Sequence, residues 1–203
     1  MYSLKSIFLI ALAASCYTHG FSQAKSKQGG YNYVVSKATG DLNNDRIPDL
    51  AVVTQDTSAD KSPYRLQIFF GKSDGTKTLV LTSDKAIKAE FEHGKDGFRS
   101  GESFYEVKIV KNVLSLTSEL LRGNSTHKFR YQNGQFELIG FTEIASDGNG
   151  HMYNIDFNLS TGQRVIQIDN YETGAVGKPE RKIIKIRPLP NLGNFTPYSN
   201  SNY

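Results

Sequence analysis

From about residue 31 onward the chain is written in short alternating runs. "YRLQIFF" sets Leu66, Ile68 and Phe70 on one side against Arg65, Gln67 and Phe69. Successive side chains of a strand point to opposite faces, so a period of two predicts a half-buried strand. "YNYVVSKA", "DLAVVTQD" and "TKTLVLTS" are likewise short, rich in β-branched or aromatic residues, and bounded by Gly, Asp, Asn or Ser. In "SFYEVKIVKN" the alternation predicts an apolar face of Tyr105, Val107 and Ile109, with Phe104, Glu106, Lys108 and Val110 opposite. "VLSLTSELL" alternates Leu114 and Leu116 with polar neighbours.

The turns between these runs predict hairpins. In "HKFRYQNGQFELIGFTEI" two alternating arms flank Asn133-Gly134, the strongest short hairpin signal. "MYNIDFNLSTGQRVIQIDNYE" repeats the arrangement around Ser160-Thr161-Gly162. "RKIIKIRPL" predicts a last strand, with Ile184 and Ile186 alternating against Lys185 and Arg187. No stretch holds a helical period over three turns; "SDKAIKAEF" carries only a weak helical pattern. The expected fold class is therefore mainly β, with antiparallel hairpins forming a sheet, a sandwich or a partial propeller-like unit. Gly94, Gly97 and Gly101 in "FEHGKDGFRSGE" predict a loop dividing an N-terminal β unit, residues 25–92, from a C-terminal one, residues 93–190. Periodicity is lost after Pro188, so residues 191–203 read as a flexible tail.

The first residues change the picture of where the protein works. "MYSLKSIFLIALAASCYTHGFSQA" has Lys5, an apolar run from Ile7 to Ala14 too short to span a bilayer, and small residues at Ser22 and Ala24. Residues 1–24 read as a secretory signal peptide, and the protein as exported. The alternative is an envelope lipoprotein acylated at Cys16, though Ala13 stands where a large apolar residue is expected. Cys16 is the only cysteine, so a chain cleaved after Ala24 has neither a disulfide nor a thiolate metal site. No later segment is apolar enough to be a transmembrane helix.

The formal net charge is +4, gathered in "GKPERKIIKIR" at Lys178, Arg181, Lys182, Lys185 and Arg187. Without an aromatic-basic RNA motif, and in an exported protein, nucleic acid is excluded as a partner. The basic run reads as the solvated face of a strand.

"GDLNNDRIPDLAVV" is the sharpest chemical signal. Asp41, Asn43, Asp45, Ile47 and Asp49 fall at every second position ahead of an apolar strand. Side-chain oxygens so spaced on a tight loop, joined by the Ile47 carbonyl, supply the hard oxygen ligands that calcium takes. The alternative is an Asp/Asn turn capped by its own side chains. Val52 stands where an EF-hand needs its bidentate glutamate, and a strand follows where a helix should.

The segment "ATGDLNNDRIPDLAVVT…RLQIFFGKSDG" resembles an FG-GAP or VCBS-type repeat in Gly40, Asp41, Asn43, Asp45, Asp49, Leu50 and Phe70-Gly71. The resemblance implies Ca2+ bound by Asp41, Asn43, Asp45, Asp49 and the carbonyl of Ile47. It spans about residues 31–80, as a single copy, so a full propeller is not expected. Arg46 replaces the usual glycine at a position expected to need a positive φ.

Other chemistry is weaker. His93, His127 and His151 have no zinc spacing and read as surface or turn residues. "SDGNGH" reads as a turn, and Glu90 and Glu92 are not marked as a catalytic pair. Nucleophile-elbow, P-loop and dinucleotide motifs are missing. No catalytic residue is assigned. The expectation is an exported calcium-binding module for an unknown protein or glycan partner. A hydrolase of envelope or extracellular polymers, and the lipoprotein, are the alternatives.

Overall fold

The computed structural model describes residues 30–199; the expected signal peptide and Cys16 lie outside them, as do residues 200–203. Within these bounds the protein is all β, with no helix among the described residues. No helix among them is long and apolar enough to cross a membrane.

Four strands form the first sheet in sequence order: β1 (Tyr33–Gly40), β2 (Asp49–Gln55), β3 (Tyr64–Gly71) and β4 (Lys77–Ser83). Seven form the second, again in sequence order: β5 (Glu102–Val110), β6 (Val113–Leu120), β7 (Gly123–Gln132), β8 (Gln135–Ser146), β9 (His151–Asn158), β10 (Gln163–Asn170) and β11 (Glu180–Ile183). All neighbouring strands run antiparallel and neither sheet closes into a barrel. Short hairpins favour this order, because an antiparallel neighbour needs only a tight turn. The predicted turn at Asn133-Gly134 joins paired Gln132 and Gln135, with φ of 55° and 76°, as a primed hairpin turn requires.

One apolar core joins the sheets. Val53, Leu66 and Ile68 of the first pack with Val107, Leu114, Leu116, Phe129, Leu138, Phe141 and Phe157 of the second. Burying each of the large side chains contributes about 1.5–3 kcal/mol. Aromatic contacts cross between the sheets: Tyr64 meets Phe104 at 5.7 Å, and Phe70 meets Tyr131 at 5.0 Å. β1 also lies beside β5, where Val107 N donates to Ser36 Oγ at 3.3 Å.

Three expectations need correction. First, Tyr105 is 58 % exposed, and Phe104 turns inward instead. A register shift between Phe104 and Glu106 inserts an extra residue, and a bulge exchanges the faces on its two sides. Second, the last strand stops at Ile183; Ile184 and Ile186 pack on the core from irregular chain. Third, the expected loose tail is packed as far as Tyr198. Leu138 N donates to Pro190 O and Leu192 N to Phe136 O, and Leu192 and Phe195 are buried. An aperiodic segment can be anchored by single apolar side chains, which a search for periodicity does not detect.

Candidate functional site

The β1–β2 loop is built from its own side chains. Asp41 accepts from Asn44 N at 2.7 Å and from Arg46 N at 2.8 Å. Asn43 Oδ1 accepts from Asp45 N at 3.1 Å, and Asn43 Nδ2 donates to Asp45 Oδ2 at 2.8 Å. Asp45 Oδ1 accepts from Ile47 N at 2.7 Å. Asp and Asn hold turns in this way by capping backbone donors two residues on. Asn44 and Arg46 both lie at φ 67°, so Arg46 adopts the positive φ its position was expected to need. For a residue with a Cβ this costs roughly 1–2 kcal/mol.

Asp49 stands apart from the others. It is wholly buried, with Oδ2 accepting from Leu42 N at 2.7 Å and Oδ1 from Gly71 N at 2.9 Å. It clips the loop to the end of β3. The contact is so close that a Cβ on Gly71 would lie 2.5 Å from the Pro48 carbonyl oxygen. Gly40 is similarly confined: a Cβ there would meet Ile109 Cγ2 of β5 at 2.6 Å. Asn112, in the β5–β6 turn, donates to the Asp41 carbonyl at 3.0 Å. Nothing in the sequence tied Asn112 to this loop, although Lys111-Asn112 between two alternating arms marks a turn.

The donor chemistry fits a calcium ion. Asp41, Asn43, Asp45 and the Ile47 carbonyl are hard oxygen donors on one short loop, with Asp45 exposed. Each carboxylate oxygen bonded to one backbone N–H keeps a second lone pair. Asp49 fits less well, because it is wholly buried, whereas Asp41 and Asp45 are open to solvent in part or in full. Among the described residues no three His, Cys, Asp or Glu side chains gather into a metal-holding group.

A second polar cluster lies on the inner face of the larger sheet. Strand pairing places Ser118, Ser125 and Glu143 in one row across β6, β7 and β8. His127 follows two positions after Ser125 and is buried, not on the surface as expected. Its ring meets Phe141 at 4.8 Å, Phe195 at 5.0 Å and Tyr198 at 5.9 Å. The signal was present in "STHKFRY": His127 shares a period-two face with the apolar Phe129 and Tyr131. Burial disfavours the imidazolium and pushes the His127 pKa down to about 3.

Glu102 is also buried, with Lys88 Nζ at 3.4 Å from Oε2. Burial raises its carboxyl pKa, with Lys88 and Ser118 opposing. Tyr198 donates to Glu143 Oε2 at 2.9 Å, and burial raises its phenol above the ordinary tyrosine value.

Glu90 accepts from Gln55 Nε2 at 2.8 Å and pairs with Arg99 at 2.7 Å, whereas Glu92 reaches Lys88 at 3.9 Å. His93 is exposed, and His151 Nδ1 bonds Asp147 Oδ2 at 2.8 Å within the "SDGNGH" turn. Of the basic run, Arg181, Lys182 and Lys185 are exposed. Arg187 donates to the carbonyls of Leu159 at 3.0 Å and Ser160 at 2.7 Å, pinning the chain to the β9–β10 turn. No family model, curated protein or solved structure matches the chain.

Proposed function

We propose that the protein is an exported binding or structural module whose β1–β2 loop takes up a calcium ion. The observation that carries this reading is Arg46 at φ 67°. An arginine held in the conformation for which the resemblance expects a glycine supports a cation loop here. The side chains of Asp41, Asn43 and Asp45 and the carbonyl of Ile47 would hold the ion, and Asp49 would secure the loop to β3. The resemblance to one FG-GAP or VCBS-type unit supports the same reading, since a four-stranded antiparallel meander is the form of one propeller blade. Calcium would supply charge neutralisation for the half-buried carboxylate of Asp41 and the exposed one of Asp45, and so stiffen the loop. The module's partner would be a protein or a glycan.

The hydrolase alternative is less well supported. The carboxylates weighed for it, Glu90 and Glu92, are engaged separately, Glu90 by Gln55 and Arg99 and Glu92 by Lys88.

The test is thermal unfolding with and without calcium. Millimolar calcium should raise the melting temperature by several degrees, because a ligand at a hundred times its Kd adds about 2.7 kcal/mol. Asp45→Ala should abolish the shift. An unchanged melting temperature at millimolar calcium would overturn the proposal.

A further inference from the structure

The ring of Tyr198 sits in a slot whose walls come from elsewhere in the chain. Glu143 of β8 accepts its hydroxyl at 2.9 Å. His127 of β7 and Phe141 of β8 meet the ring edge-on, with centroids at 5.9 Å and 6.0 Å and interplanar angles of 83° and 86°. Lys88 Nζ lies 5.4 Å from the ring centroid, within reach of a cation–π interaction. The carboxylate of Glu102, itself buried, adds its charge to the same neighbourhood. Phe195, three residues earlier, fills the adjoining space against His127 and Phe129, at 5.0 Å and 5.1 Å.

Walls and plug are held differently. Ser125, His127, Phe141 and Glu143 stand on paired strands. Among the described residues, the backbone bonds of residues 193–199 run only to Asn191, Leu192 and Thr196, within their own segment. That segment is seated by the side chains of Phe195 and Tyr198, with Pro197 buried between them. Tyr198 itself lies at φ 55°, a conformation that disfavours any residue with a Cβ. Such strain is tolerated where the surroundings compel it, and it favours release. The plug can therefore leave without breaking a strand ladder.

We infer that this slot is a recognition site for a tyrosine side chain of a partner polypeptide, occupied here by the chain's own Tyr198. The segment seated in it indicates the partner's chemistry. An aromatic residue must precede the tyrosine by three positions, as Phe195 precedes Tyr198, because the two spaces adjoin. The inference does not involve the calcium loop, and its failure would leave that reading untouched.

Two probes test it on the full chain. p-Cresol, the tyrosine side chain alone, should bind Tyr198→Ala saturably and raise its melting temperature. Adding Glu143→Leu, which removes the acceptor, should weaken that binding about fivefold, the worth of one hydrogen bond to a retained ring. No binding of p-cresol to a folded Tyr198→Ala protein would overturn the slot. Separately, a synthetic peptide of residues 191–199 should bind the wild-type protein and make its own C-terminal segment cleavable by a protease. This second arm holds even where Tyr198→Ala fails to fold. Absence of peptide binding to the wild type would refute a displaceable plug. A wild-type dimer that exchanges this segment would assign the slot to a second copy and overturn the separate partner.

Discussion

At the scale of single residues, His127 and Glu102 act on stability in opposite directions. Burial holds the His127 pKa near 3, against about 6.5 in an unfolded chain. Between those values the unfolded state binds a proton that the folded state refuses. Stability is therefore full above about pH 6.5 and is lost as pH falls towards 3, by up to about 1.4 kcal/mol per pH unit. Glu102 has a raised pKa, so its folded state holds a proton that the unfolded state releases. Its contribution is full below the ordinary glutamate value of 4.5 and is lost as pH rises through the raised one. His127→Leu should flatten the acid limb between pH 6.5 and 3, read as urea midpoints across pH. An acid limb of unchanged slope would show that other groups govern it. The face His127 occupies was legible from its alternation with Phe129 and Tyr131. Its neighbours Phe195 and Tyr198 were not, because they come from aperiodic chain far along the sequence. The positive φ at Arg46 was legible only through the resemblance, which expects a glycine at that position.

At the scale of elements, alternation marked the paired strands but could not choose a phase where two apolar residues adjoin. Phe104-Tyr105 is such a tie, and the bulge that resolves it depends on the partner strand. The last strand ends early for a related reason: Ile184 keeps the alternation, but its N–H bonds the Gly162 carbonyl in the β9–β10 turn. The loop between β1 and β2 shows how one side chain joins elements. Asp49→Ala would leave the N–H groups of Leu42 and Gly71 without their acceptor in a buried setting. Each unsatisfied donor costs roughly 1–3 kcal/mol, so the variant should lose about 2–6 kcal/mol in urea unfolding. Asp49→Asn retains one oxygen acceptor and should lose less. Asp45→Ala, on the exposed rim and without calcium, should lose under about 1 kcal/mol. Equal losses for Asp49→Ala and Asp45→Ala would show that the clip does not hold the loop to β3.

At the scale of the whole molecule, two sheets built from local hairpins become one body through residues that no hairpin predicts. The connection from residue 84 to 101 carries Lys88 to Glu102, and the last stretch carries Leu192 and Phe195 into the core. The C-terminal segment is thus bound in two grades. Up to Leu192 it is held by backbone bonds to Phe136 and Leu138; beyond, by side chains. Leu192 is the hinge between the grades and is as fully buried as Leu114 at the centre of the sheet. Leu192→Ala should therefore cost what a central core truncation costs, about 2–5 kcal/mol. Its unfolding should stay a single transition with an unchanged denaturant slope, because the anchor belongs to the common core. Leu114→Ala is the reference for that magnitude. A loss below about 0.5 kcal/mol, the range of surface substitutions, would mean that the segment is not part of the core. A separate early transition would mean that it detaches together with its anchor, and that the two grades of attachment are one.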